Sequence, residues 1–341
     1  MMTEESNSSL KDIEKALLAR WQKNKTPGVN EDVIDQLKIK VNGEVLVKEP
    51  MKKHTYIKVG GPADVLIQPK DQQSIQAVMQ ICAERNLPVT FHGGGSNTLV
   101  RDGGIAGVVL SLYEHFSGVE VIEKTEEEIT LRVLAGTPMN SVVKMAKAEK
   151  ATGLEPFVGI PGSLGGWVKM NAGVPEREIG ELVDSVEILD KDLEVRRIKK
   201  SKLKFEYRNL GLTRAQLILS ADLKLKLTDD ENEIENQMKT FQDRRSERQP
   251  LNYPNLGSMF QNPDKEKVTP YRTAGQLIEE AGLKGVRVGG ARISEKHANF
   301  IINEGGATAQ DVLALLDLAK TKVKNLCFVE LETEVKIVGK D

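Results

Sequence analysis

Cysteine is nearly absent from this chain of 341 residues. Its two thiols, Cys82 and Cys327, lie far apart and without metal-ligand spacing. That excludes a disulfide framework, leaves no metal site to expect, and predicts free thiols in a reducing compartment. Neither sign of charge prevails: 48 Lys and Arg stand against 50 Asp and Glu, a net charge of −2. Nothing in that balance draws in nucleic acid or an anionic membrane. No apolar run approaches the roughly 18 residues of a membrane-spanning helix. The N-terminus, Met1-Met-Thr-Glu-Glu-Ser, is polar and acidic where a signal peptide is basic and then apolar. A cytoplasmic protein is the expectation, with no membrane, no nucleic acid and no obligate protein partner. No G-x-x-x-x-G-K-[ST] phosphate loop occurs. Gly93-Gly-Gly-Ser-Asn97 follows a predicted strand, but Thr98 stands where a G-x-G-x-x-G fingerprint needs its last glycine. A turn at Arg101-Asp-Gly-Gly104 comes next instead of a helix, so Rossmann and P-loop readings both fail.

What is present is glycine, concentrated in two places. The chain is organised around Gly159-Ile-Pro-Gly-Ser-Leu-Gly-Gly-Trp-Val-Lys-Met-Asn-Ala-Gly173, with five glycines in fifteen residues. Glycine tolerates positive φ and lets a ligand approach the backbone, at an entropic cost. Two readings stand: a pair of tight turns, or a nest of bare N–H groups suited to phosphate. The second cluster at Gly93–Gly95 favours the nest.

Elsewhere periodicity predicts the elements. Leu10, Ile13, Leu17 and Trp21 share a helical face behind a Ser9/Asp12 capping box, and Ile39/Val41 and Val45/Val47 alternate about Asn42-Gly43 as a hairpin. Residues 63–68 read as a strand, followed by a helix burying Ile75, Val78, Met79 and Cys82, then a strand from Pro88 to His92. Strands are expected at 108–112, 119–123, 129–134, 183–189 and 193–198, and a helix opens with Thr137 as its cap and Pro138 at its first position. Leu217 to Leu227 alternates as a strand with one buried face. A composition change near 228 introduces an acidic helix with Ile234, Met238 and Phe241 inward, a proline-rich loop from Gln249 to Pro263, and helices at 273–281 and 309–325. A last strand, Phe328 to Val338, puts Glu330, Glu332 and Glu334 together on a polar face. The expected organisation is a lead-in at 1–48, a domain at 49–228 and a smaller one at 229–341.

Several blocks in this order resemble the UDP-N-acetylenolpyruvoylglucosamine reductase (UDP-N-acetylmuramate dehydrogenase) family: His54 to Asp64, Gly93 to Asn97 with Asp102-Gly-Gly104, Gly153 to Gly173, Tyr207-Arg-Asn209, Arg248-Gln-Pro250 through Gly257-Ser-Met-Phe-Gln-Asn-Pro263, and Glu334-Val-Lys-Ile-Val-Gly339. The resemblance implies an α+β protein, with an FAD-binding domain of the vanillyl-alcohol-oxidase/PCMH type followed by a smaller α/β substrate-binding domain. It also implies the activity: hydride passes from NADPH to FAD and on to the enolpyruvyl group of UDP-N-acetylglucosamine enolpyruvate, in peptidoglycan precursor synthesis. The short run between Arg208 and Ser258 resembles the subclass that lacks an extra substrate-covering loop.

The resemblance also assigns residues. FAD contacts are implied at Gly60, at Gly93, Gly94, Gly95, Ser96 and Asn97, and at Gly159, Pro161, Gly162, Ser163, Gly165, Gly166, Asn171 and Gly173. Arg208, Ser258 and Glu334 match the catalytic residues, and Tyr207, Arg248 and Asn262 are assigned to substrate. Hydride delivered β to a carboxylate leaves negative charge at the α carbon. That calls for a cation on the carboxylate, which an arginine can grip with two N–H groups, and for a proton donor. Glu334 is selected only by its motif, because three alternating glutamates ordinarily mean a solvated face. Trp167 and Lys169 depart from the smaller or aromatic residues usual in the family. Rival readings are an FAD-linked oxidase sharing only the flavin domain, and a flavin or UDP-sugar binder without turnover.

Overall fold

The computed structural model describes residues 28–213, 215–266 and 268–341. The expected helix at 10–21 lies outside them.

The first described element corrects the hairpin. Glu31–Lys40 is a helix, opened by the Asn30 side chain accepting from the Val33 amide, with Glu31 and Asp32 in its first turn and Lys38 and Lys40 in its last. Cap and end charges all favour a helix here. Val33 and Leu37, one turn apart, bury themselves, and Ile39 is left 81 % exposed. Asn42-Gly43 therefore turns a helix into a strand. That strand, Gly43–Val47, pairs antiparallel with Ala63–Pro69 rather than with residues 39–41.

Two sheets carry the N-terminal part. The smaller runs in the order Gly43–Val47, Ala63–Pro69, Ile105–Ser111, Val89–His92, and its last two pairings are parallel. The helix Gln72–Glu84 supplies the crossover and buries Ile75, Val78, Ile81 and Cys82. The larger sheet is antiparallel: Val195–Lys199, Val183–Leu189, Leu217–Leu227, Glu128–Leu134, Val119–Lys124. Its central strand, Leu217–Leu227, is buried on both faces from Leu217 to Leu223, where alternation suggested one. The polar alternates are covered: Arg132 grips Asp222 through two bonds of 2.9 and 3.0 Å, and Arg197 and Ser185 reach the same carboxylate at 2.7 and 2.9 Å. A buried charge held by so many donors is sustained by pairing. Another expectation shifts by one residue. Pro138 itself occupies the cap position of the helix Met139–Ala148, and the Thr137 hydroxyl turns away to both backbone groups of Gly118.

Beyond residue 228 the helix Glu231–Arg248 buries only Ile234 fully, with Met238 and Phe241 half-buried, and it lies against the turn Glu155–Phe157. The C-terminal core gathers the helices Ala274–Glu280 and Ala309–Cys327 around a three-stranded antiparallel sheet, and Ile57, Val59 and Leu99 from the N-terminal part complete it. Asp102 reinforces that seam by accepting from the Ala309 and Gln310 amides at the start of the long helix, at 2.9 and 3.0 Å. The expected strand at 328–338 is shorter than its alternation suggested. Phe328 takes the left-handed cap that ends the preceding helix, and only Lys336–Val338 is a strand, parallel to Thr98–Val100. The chain end is thus stitched to the exit of the first glycine loop.

Candidate active site

The two glycine clusters meet. Gly93–Asn97 leaves the strand Val89–His92, and Gly159–Ser163 leads into the helix Leu164–Lys169, whose cap is the Ser163 hydroxyl. A Cβ on Gly94 would stand 2.9 Å from the Tyr113 ring and 3.3 Å from the Gly162 Cα. Gly95 has φ +68°, and a Cβ there would fall 2.0 Å from the His54 carbonyl oxygen. Side chains are excluded where the loops touch, and what remains is backbone facing a cavity. Trp167 braces the second loop: its indole N–H donates to the Pro161 carbonyl at 3.1 Å, and Phe157 packs edge-on at 5.1 Å.

The cavity between these loops and the segments 249–258 and 333–338 measures about 1480 Å³. One drug-sized ligand occupies at most about 1,000 Å³, so this space suits a dinucleotide with a second ligand beside it. Gly93, Gly94, Gly95, Ser96, Asn97, Gly159, Pro161, Gly162, Ser163, Gly165, Gly166 and Gly173 all line it. Bare amides from two loops around a void of this size fit an FAD pyrophosphate. Gly60 and Asn171 lie off the lining. Gly60 presses on Val100, and buried Asn171 ties together Glu178, Gly180 and the Glu206 carbonyl at 2.7–3.0 Å.

Arg208, Ser258 and Glu334 all line the cavity. The Arg208 Nε donates to Glu334 Oε1 at 3.0 Å, across 126 residues of sequence, and its Nη2 donates to the Gly173 carbonyl at 3.1 Å. Arg208 sits at φ +56°, an uncommon position for a residue with a side chain, of the kind that collects at functional sites. The Glu334 amide donates to the Met259 carbonyl at 2.9 Å, which sets this segment beside the residue following Ser258. The half-buried Ser258 hydroxyl has no hydrogen-bond partner among the described residues. Glu334 parts company with its neighbours: its side chain is 16 % exposed, while Glu330 is 76 % exposed and pairs with Lys324. Burial lifts the Glu334 carboxyl above its ordinary range, against the opposing pull of Arg208 and Lys336.

The three residues assigned to substrate are also not on the lining. Tyr207 is 47 % exposed and lies under the Arg208 guanidinium, 4.8 Å from ring centre. Arg248 is exposed on the last turn of its helix. The Asn262 side chain accepts from the Ala274 amide at 3.1 Å, at the start of the next helix.

Sequence reasoning gave no role to Arg245, Lys336 and Tyr56 and marked Lys169 only as a departure from the family, yet all four line the cavity. Arg245 donates to the Gly159 carbonyl and, at 2.9 Å, to Gln249, and burial holds its guanidinium below its usual range. A signal for it existed. The inward series Ile234, Met238, Phe241 continues at helical spacing to 245, a turn before the helix ends at 248.

Comparison with known proteins finds matches to two parts of the chain. Residues 249–338 match the UDP-N-acetylenolpyruvoylglucosamine reductase C-terminal domain, and residues 63–199 match an FAD-binding domain. The chain is 41 % identical over 303 residues to a UDP-N-acetylenolpyruvoylglucosamine reductase of Clostridium botulinum, covering 88 % of this chain and 94 % of the relative. For the reductase of Syntrophus aciditrophicus the figures are 40 % over 307 residues, 90 % and 96 %. Among solved structures, the UDP-N-acetylenolpyruvylglucosamine reductase of Thermus caldophilus superposes with a TM-score of 0.72 at 32 % identity, covering 87 % of this chain and 99 % of that one.

Proposed function

The chain belongs to the UDP-N-acetylenolpyruvoylglucosamine reductase family, FAD-dependent UDP-N-acetylmuramate dehydrogenases of peptidoglycan precursor synthesis, and from that premise we propose how its residues divide the reaction. Its fold is an FAD-binding domain of the vanillyl-alcohol-oxidase type followed by the family's C-terminal domain. The observation that carries the proposal is the Arg208–Glu334 pair, 3.0 Å apart, on the same cavity as Ser258 and the two glycine loops.

FAD, when bound, supplies the two-electron carrier between NADPH and the enolpyruvyl double bond. The free amides of Gly93–Asn97 and those of Gly159, Gly162 and Ser163 would hold its pyrophosphate, while Gly165 and Gly166, whose amides already donate to Ala135 and Ser163, let it approach closely. Arg208 takes the carboxylate of UDP-N-acetylglucosamine enolpyruvate. With Nε on Glu334 and Nη2 on Gly173, the guanidinium plane is fixed before substrate arrives, and a preorganised cation stabilises developing charge without rearranging. As negative charge builds at the α carbon, the Ser258 hydroxyl delivers the proton there. Serine is a poor acid, so its proton is replenished from a neighbour or water. Glu334 orients Arg208 and completes the site. Tyr207, Arg248 and Asn262 belong to the substrate side of the proposal, and Gly60 and Asn171 support the flavin loops from behind.

The same proposal assigns residues 1–48 to a lead-in, 49–228 to the FAD-binding domain and 229–341 to the substrate-binding domain, in a member of the short subclass. It places the enzyme in the cytoplasm. Free Cys82 and Cys327 suit that compartment, and among the described residues no helix is long and apolar enough to cross a membrane.

The deciding experiment is the visible spectrum of the purified protein under anaerobic conditions. A flavin band should bleach on adding NADPH and return on adding UDP-N-acetylglucosamine enolpyruvate. A protein without flavin refutes the reductase reading, and one whose band returns only with oxygen refutes it in favour of the oxidase alternative.

A further inference from the structure

The cavity is charged in a way the whole chain is not. The net charge of the chain is −2. Among the described residues, the cavity lining holds four cations, Lys169, Arg208, Arg245 and Lys336, and one carboxylate, Glu334. Two of the cations are engaged: Arg208 by Glu334 and the Gly173 carbonyl, Arg245 by the Gly159 carbonyl and Gln249. Lys169 and Lys336 remain, and neither forms an ion pair with a described residue.

Their placement is specific. Lys169 ends the helix Leu164–Lys169, and its half-buried ammonium donates to the carbonyls of Leu212 and, at 3.4 Å, Thr213. Those acceptors are neutral and cancel no charge. Lys336 is fixed from the other side, where its amide donates to the Asn97 carbonyl at 3.0 Å as the last strand joins the first glycine loop. Burial first, then the charge of Lys336, hold Lys169 below its ordinary range. Lys336 is exposed, so the cost of two like charges falls on the half-buried Lys169, and an anion between them turns that cost into attraction. A planar carboxylate is the natural guest of the Arg208 fork. A tetrahedral phosphate, with oxygens pointing several ways, suits two flexible point charges.

We propose that Lys169 and Lys336 form a phosphate subsite inside the active-site cavity, and that Lys169 determines how tightly a phosphorylated ligand is held there. The subsite rests on the reductase reading, under which two phosphate-bearing ligands enter the cavity: the UDP-sugar with its diphosphate, and NADPH with its 2′-phosphate.

Calorimetric titration of inorganic pyrophosphate into the flavin-loaded enzyme tests the subsite without turnover. Lys169→Met should weaken pyrophosphate about tenfold, the loss typical of one charge-assisted hydrogen bond, and should flatten the dependence of affinity on salt. Lys169→Arg should keep that salt dependence. Flavin content and melting temperature report folding, and Lys336→Gln provides the same reading should Lys169→Met fail to fold. Anaerobic stopped-flow then identifies the source. A weaker NADPH dissociation constant in Lys169→Met, with that for NADH unchanged, assigns the 2′-phosphate. A weaker constant for the UDP-sugar in the reoxidation step assigns the diphosphate. Either supports the subsite. Pyrophosphate affinity that stays at the wild-type value in folded Lys169→Met and Lys336→Gln overturns it. Should wild-type flavin not bleach with NADPH, the reductase reading fails, and the pyrophosphate titration still decides the subsite.

Discussion

Two walls of one cavity are built by opposite means. The wall of Gly93–Asn97 and Gly159–Gly166 offers backbone, and it exists because side chains are missing where the loops touch. The wall of Arg208, Ser258 and Glu334 offers side chains brought from three distant stretches, held by bonds such as the one between Arg208 and Glu334, 126 residues apart. The first wall cannot change without moving main chain. On the second, a functional group can be removed while the fold stays as it is. Backbone and side chain therefore fail differently, and substitutions can separate the two.

The largest effect is expected at Ser258. Its hydroxyl lines the cavity and bonds to no described residue, so Ser258→Ala leaves no orphaned partner behind. Turnover should fall roughly 10²- to 10⁴-fold, the usual worth of a positioned proton donor. Flavin bleaching by NADPH and the melting temperature should stay as in the wild type. Slower bleaching would place Ser258 on the flavin side and break the contrast between the walls.

Gly95→Ala should do the reverse. The residue must keep φ +68° with a Cβ that falls 2.0 Å from the His54 carbonyl oxygen, so backbone has to move. Left-handed strain alone costs about 1–2 kcal/mol, and the clash adds to it. The variant should lose bound flavin and melt at lower temperature. Gly257 supplies the control: φ is +73° with nothing within 4 Å of an added Cβ, so Gly257→Ala should show strain alone and the smaller drop. A Gly95→Ala protein with full flavin content and wild-type melting would show that the first wall is less rigid than its contacts imply.

The two walls also differ in how far they can be read from sequence. Glycine runs are local, and so are the helix signals beside them. The strand at 63–68, the strand ending at His92 and the helix opening at Thr273 with its capping box stand where local pattern put them. Long-range packing is what pattern misses. Ile39 and Val41 alternate as a hairpin strand should, but Asn30 and the Val33–Leu37 pair make a helix there. Glu334 belongs by alternation to the exposed glutamates, and only the approach of Arg208 and the segment at Met259 separates it from them. Gly60 and Asn171 sit inside family blocks although they lie off the cavity lining. Arg245 went unread because the neighbouring block drew attention to Arg248, whose side chain faces solvent.

The smallest effect expected is a stability difference, and it concerns the residue the two walls share through Asn97, whose side chain donates to the Glu334 carbonyl at 3.3 Å. Burial raises the Glu334 carboxyl above the ordinary carboxylate range, and Arg208 offsets only part of that rise. A carboxyl whose folded value is raised binds its proton more tightly in the native state than in the unfolded one. Below the ordinary value both states are protonated and the side chain adds no pH dependence. As pH climbs from there through the raised value, the native state comes to carry a buried charge, and stability falls. Glu334→Gln has no such titration. The stability of the wild type relative to Glu334→Gln should therefore decline from about pH 4 towards neutrality, read from urea denaturation at a series of pH values. Other titrating groups are common to both proteins and largely cancel in the difference. A difference that grows with pH would mean that the Arg208 bond outweighs burial, and that Glu334 is held for stability. The expected decline means that ionising the Glu334 carboxyl works against the stability of the fold. A cost of that kind is retained where orienting Arg208 requires the ionised form.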